Sequence, residues 1–131
     1  MHDEVNIKRL LVSSDEAALG DFLIAQLPAT RFSVSSVRPG AAFVEAVRRE
    51  HPKIAVLDLS ADRTDAVLME IATLKQMCPE SRIIVTSEQS SAEDAVVIEA
   101  GVFFYLVTQR KQDRDLLRVI DAAAQDRMSE A

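Results

Sequence analysis

The 131-residue sequence predicts an α/β fold, a doubly wound parallel sheet of five strands alternating with five helices in a single domain. Three observations predict it. Short apolar runs rich in β-branched residues recur at 7–13, 32–37, 54–59, 82–86 and 102–107. A stretch with helical apolar period follows each run. The four prolines, with Gly40 and Gly101, fall at the ends of those periods.

The first, third, fourth and fifth runs lack in-out alternation, which suits strands buried on both faces. The second, Phe32-Ser33-Val34-Ser35-Ser36-Val37, alternates for most of its length and reads as an edge strand. Leu19, Phe22, Leu23 and Leu27 form the first helical stripe, stopped by Pro28. Phe43, Ala46 and Val47 form the second, after Pro39-Gly40 and before Pro52. Val67, Ile71 and Leu74 form the third, ending before Pro79. Residues 92–100 form the fourth, closed by Gly101 as a helix C-terminal glycine. Leu116, Leu117, Val119, Ile120 and Ala123 form the last, after a polar loop. Strict βα alternation implies right-handed crossovers with helices on both faces. The expected domain is 1–131, with a core over about 6–126 and a polar, frayed tail at 127–131.

Composition excludes several functions. The net charge is −6 and the basic residues are scattered, which argues against nucleic-acid binding, an affinity that needs clustered Lys and Arg. Cys78 is the only cysteine, so there is no disulfide framework; it reads as a small, half-buried apolar residue before Pro79. The N-terminus lacks a signal-peptide pattern, and no apolar run approaches the ~20 residues that span a bilayer. The expectation is a cytoplasmic protein without membrane insertion. His2 and His51 have no second ligand at zinc spacing. With three glycines there is no phosphate-binding Gly-rich loop, and no Ser-His-acid pattern occurs, so no enzymatic activity is expected.

Candidate chemistry gathers at one sheet edge. Asp58 ends the third strand, Ile54-Ala55-Val56-Leu57-Asp58, at the carboxyl side where open α/β sheets bind ligands. Ser13 and Ser14 end the first strand, after Lys8-Arg9-Leu10-Leu11-Val12. Thr86 closes the fourth, Ile83-Ile84-Val85-Thr86, and Thr108 follows Tyr105-Leu106-Val107.

Those marks resemble the receiver domain of two-component response regulators, over nearly the whole chain. The resemblance implies a CheY-like, flavodoxin-like (βα)5 fold with strand order 2-1-3-4-5. It also implies that Asp58 stands at the phosphoacceptor position, Thr86 at the hydroxyl position and Tyr105 at the aromatic switch position. Three departures stand out. Ser13-Ser14 occupy the place of an acidic pair, and Thr108-Gln109 the place of Lys-Pro. After Asp58, Asp62 replaces a proline and Ala66 a glycine, while Asp65 is present as in the family.

Phosphoryl transfer requires pre-placed cations to meet developing charge. In receivers Mg²⁺ supplies much of it, and Mg²⁺ depends on carboxylate oxygens for protein affinity. Two serine hydroxyls cannot replace that charge, and Thr108 lacks an ammonium. Asp15 and Glu16 could substitute as metal ligands, but Asp15 is expected to cap the first helix instead. Lys111 reads as a solvated loop charge. Asp58 itself has a structural reading of equal weight, bonding N–H groups of the next loop. No cofactor is expected, and Mg²⁺ binding should be weak or absent.

Function should then lie in protein binding through helix 4, strand 5 and helix 5. Here Val102-Phe103-Phe104-Tyr105 places two phenylalanines before the aromatic position. Both rings are expected to fill space under the helices; exposed, they would be interface anchors. Arg110, Lys111, Arg114 and Arg118 beside Asp113, Asp115 and Asp121 could pair across a homodimer or form a solvated face. The expected function is an atypical receiver that signals by protein–protein contact without phosphorylation. Alternatives are a working phosphoacceptor modified at Asp58 by a histidine kinase, and a receiver-like domain ahead of a pilus-assembly, partitioning-type ATPase. A small-molecule sensor using the uncharged pocket of Ser13, Ser14, Thr86 and Thr108 is a further one.

Overall fold

Strands and helices alternate along the computed structural model, which describes residues 7–59, 63–88, 90–108 and 114–125. The order is β1 (Lys8–Ser13), α1 (Ala17–Gln26), β2 (Phe32–Val37), α2 (Ala41–Glu50), β3 (Ile54–Leu59), α3 (Thr64–Met77), β4 (Arg82–Ser87), α4 (Asp94–Glu99), β5 (Phe104–Val107) and α5 (Arg114–Ala123). All pairings are parallel, in the order β2-β1-β3-β4-β5. This is the flavodoxin-like arrangement that the resemblance implies. The tail 127–131, His2, Asp62, Gln109, Arg110, Lys111 and Asp113 lie outside the described residues.

Two apolar layers sandwich the sheet. On one face Phe43, Ala46 and Val47 of α2, Val67, Ile71 and Leu74 of α3 and Val97 of α4 pack on Leu11, Ala55, Leu57, Ile83 and Val85. On the other, Leu19 and Leu23 of α1 and Leu116, Ile120 and Ala123 of α5 pack on Leu10, Val12, Ile54, Val56 and Ile84. Every residue of β3 is buried, which explains why its sequence shows no alternation. β2 lies at the sheet edge, as expected, but its exposed residues Ser33 and Ser36 fall on opposite faces, so its exposure does not follow the alternation of the sequence.

Boundaries shift at the other edge. β5 begins at Phe104, two residues later than the apolar run suggests, and α4 is only six residues long. Gly101 ends the α4 turn with φ +94°, and its N–H donates to Ile98 O (3.0 Å). Gly20 serves close packing: a Cβ there would lie 2.3 Å from Ser36 Oγ and 2.6 Å from Ser36 Cβ.

The topology brings the tips of β1, β3 and β4 together. Asp58 pairs in register with Thr86, and Ser13 with Leu57.

Candidate functional site

Asp58 is only 3% exposed at the tip of β3. Ser14 Oγ donates to its Oδ2 (2.8 Å) and Thr86 Oγ1 donates to its Oδ1 (3.3 Å). The Glu16 N–H donates to Ser14 Oγ (3.0 Å), so that hydroxyl both accepts and donates and its proton is directed at the carboxylate. Ser13 points to a different acid: its Oγ donates to Glu70 Oε2 (2.9 Å).

Glu70 and Arg63 were not among the residues that the sequence singled out. Arg63 Nη2 lies 3.1 Å from both carboxylate oxygens of Glu70, and Nη1 donates to the backbone carbonyl of Asp58. The pair is buried, Arg63 at 7% and Glu70 at 5% exposure. Burial pushes the Glu70 carboxyl above its ordinary value, against the lowering effects of the Arg63 charge and the Ser13 hydrogen bond; the Asp15 charge adds to the rise. A signal for this pair is present in the sequence. Glu70 falls within the apolar stripe Val67, Ile71 and Leu74 of α3, where a carboxylate needs a buried partner.

Two expectations are corrected. The pocket is not uncharged, because a guanidinium and a second carboxylate enter it from the start of α3 and its second turn. Asp15 does not cap α1: it is exposed, the N-cap residue is Glu16 without a side-chain cap bond, and Ser14 Oγ accepts the Glu16 N–H instead. The serine sits one residue nearer the strand and its short side chain closes the turn locally. Thr108 follows β5 on the same edge, its N–H donating to Ser87 O (2.8 Å).

Along β5 the aromatic residues separate. Tyr105 is half-buried on the α4 side, where its hydroxyl donates to Asp94 Oδ1 (2.5 Å). Burial first, and then donation to Asp94, pushes its phenol up to about 12. Phe103 packs against the α5-side core, with the Arg82 guanidinium 5.8 Å from its ring centre. Phe104, expected in the core, is instead 44% exposed on β5, the edge strand of the sheet. Val107, Val96 and Ile98 are exposed as well. Three of the charged residues of α5 pair within the chain: Asp121 with Arg31 (3.2 Å), and Asp115 with Arg118 (3.6 Å). Among the described residues no helix is long and apolar enough to cross a membrane.

No protein-family model matches the sequence, and no curated protein matches it. Solved structures do. An orphan response regulator of H. pylori aligns with a TM-score of 0.74 at 16% identity, covering 90% of this chain and 97% of that one. The signal receiver domain of a modulated diguanylate cyclase from Desulfovibrio desulfuricans gives 0.74 at 20% identity, covering 96% and 100%. A response regulator protein from Burkholderia pseudomallei, with a phosphorylated aspartic acid, a calcium ion and citrate, gives 0.73 at 25% identity, covering 94% and 69%. With five parallel strands in the order 2-1-3-4-5 and helices on both faces, the chain has the fold of response-regulator receiver domains.

Proposed function

We propose that this chain is an atypical receiver module, one that signals by binding other proteins and works without aspartyl phosphorylation or Mg²⁺. The observation that supports this reading is the buried Arg63–Glu70 pair beside Asp58. A receiver that accepts a phosphoryl group needs a divalent ion and a cation free to meet the new charge. Arg63 is a poor clamp for that charge, since Glu70 already neutralises it. Drawing Arg63 away would leave Glu70 buried and unpaired, a cost of about 3–5 kcal/mol. The donor set also fits Mg²⁺ badly: Ser13 Oγ is engaged by Glu70 and Ser14 Oγ by Asp58, where the ion needs hard oxygen ligands in near-octahedral array.

The binding surface in this reading is the face of α4, β5 and α5. Phe104 and Val107 on the edge strand and Val96 and Ile98 on α4 present apolar side chains to solvent. Exposed aromatic residues of this kind are common interface anchors.

A titration of the ¹⁵N-labelled protein with Mg²⁺ and beryllofluoride tests the reading. We expect amide resonances from Asp58 to Tyr105 to stay in place. Shifts spreading between those residues, and lost in Asp58→Asn, would overturn it. They would support a second reading, a working phosphoacceptor. That reading draws on the Asp58–Thr86 register and on the phosphorylated aspartic acid of the Burkholderia pseudomallei protein.

A further inference from the structure

The two edges of the sheet differ in character. β2 shows the serines Ser33 and Ser36 at its surface and is bracketed by the exposed cations Arg31 and Arg38. Charges at an edge discourage pairing with another chain. β5, at the other edge, reads Phe104-Tyr105-Leu106-Val107 and carries no charged residue and no proline.

The backbone bonds decide which groups of β5 face away from the sheet. The Arg82 N–H donates to Lys53 O (2.8 Å), so residues of even number in β4 turn to β3 and those of odd number turn to β5. In step with this, the Thr108 N–H donates to Ser87 O (2.8 Å). Phe104 and Leu106 therefore bond to β4, while Tyr105 and Val107 direct their N–H and C=O groups outward. Among the described residues no further strand pairs with them. Side chains alternate as well. Tyr105 packs on the α4 side and Leu106 on the α5 side, which places Val107 with the first and Phe104 with the second. Phe104 is 44% exposed and Val107 41%. Ile98, one turn along α4 from the Asp94 that holds Tyr105, is exposed on the same side as Val107. Apolar surface thus lies on both sides of a row of outward backbone groups.

We propose that β5 pairs antiparallel with β5 of a second copy of this chain, joining two sheets across a two-fold axis. The inference rests on the reading of this face as the binding surface, and it names the occupant. A strand edge is complementary to itself in the antiparallel sense, so the same four residues supply both halves of the contact. With Tyr105 opposite Val107 of the second copy, and the reverse, about four hydrogen bonds form around an axis at Leu106. An axis perpendicular to the sheet keeps like faces together. Tyr105 then lies beside a β-branched side chain, a favourable cross-strand pair. β5 carries no charge, so two identical strands do not repel each other. A second copy is favoured over an unrelated peptide because one contact covers the exposed apolar groups of both chains. The ladder is short, so association depends on concentration.

Analytical ultracentrifugation of the full chain over ~10–500 µM tests the proposal. The average mass should rise from that of a monomer toward that of a dimer. Val107→Pro removes an outward N–H and keeps the bonds to β4, and Phe104→Lys places a charge at the edge. Each should weaken association at least ~10-fold. Met69→Lys, on the exposed surface of α3, should leave association unchanged. Hydrogen–deuterium exchange supplies a readout that a dimer held by side chains alone would not move: the Tyr105 and Val107 amides should exchange more slowly as concentration rises. Far-UV circular dichroism of each variant checks that the fold is intact. A monomer at every concentration, undiminished association in folded Val107→Pro, or exchange at Tyr105 and Val107 that ignores concentration would overturn the proposal. The Mg²⁺ and beryllofluoride titration decides the independence from phosphorylation separately, whichever of these results is obtained.

Discussion

At the residue scale, the site turns on a competition between burial and charge. Glu70 loses hydration by lying inside α3, and Arg63 returns part of that loss through two contacts of 3.1 Å. Removing one partner should therefore cost more than removing both. We expect Arg63→Ala to destabilise the fold by about 3–5 kcal/mol in urea denaturation, and Arg63→Met with Glu70→Leu to cost clearly less. The Glu70 carboxyl is held above 4.5, so its contribution is full below that pH and falls as pH rises through the folded-state value. The stability gap between wild type and Glu70→Gln should accordingly narrow as pH rises. Tyr105 offers a cleaner readout because it is the only tyrosine and the chain has no tryptophan. Its ultraviolet titration should have a midpoint near 12, and Asp94→Asn should lower it without reaching 10.0, since burial is the larger cause. The stability linked to the neutral phenol is present below pH 10 and is lost as pH rises through about 12.

At the element scale, the contact of α1 with β2 depends on a missing side chain. In an open helix, Gly20→Ala would add up to about 1 kcal/mol of stability. Here the new methyl would meet Ser36 Cβ at 2.6 Å, a backbone-anchored atom that cannot swing aside. Overpacking should win, lowering stability by about 1–3 kcal/mol, and Ser36→Gly in the same chain should restore most of it. Urea midpoints of the three variants decide the matter. β5 shows the converse: on this four-residue edge strand Phe104 is exposed, so an apolar run in the sequence did not become core.

At the scale of the whole molecule, the sheet assembles the pocket from segments far apart in sequence. Ser14 meets Asp58 across 44 positions, and Ser13 meets Glu70 across 57. Under the proposed function this pocket gains nothing from Mg²⁺. A ligand stabilises only in proportion to its occupancy, so 10 mM Mg²⁺ should leave Tm unchanged within about 1 °C. A larger rise, absent in Asp58→Asn, would contradict the proposed independence from the ion.

The order of elements was legible from periodicity, because burying one helical stripe or a whole strand leaves a local pattern of apolar residues. Asp58, Thr86 and the two serines were legible too, since a strand's C-terminal tip is a local position in a parallel sheet. Arg63 and Glu70 were not, although Glu70 interrupts an apolar stripe. Which carboxylate takes which partner depends on distances that only the packed sheet sets. For the same reason the sequence presented Cys78 and His51 as isolated residues, 27 positions apart, and the neighbouring ends of two helices brought them to 3.4 Å. Local patterns specify elements; pairings between side chains far apart in the chain are specified by how those elements stack.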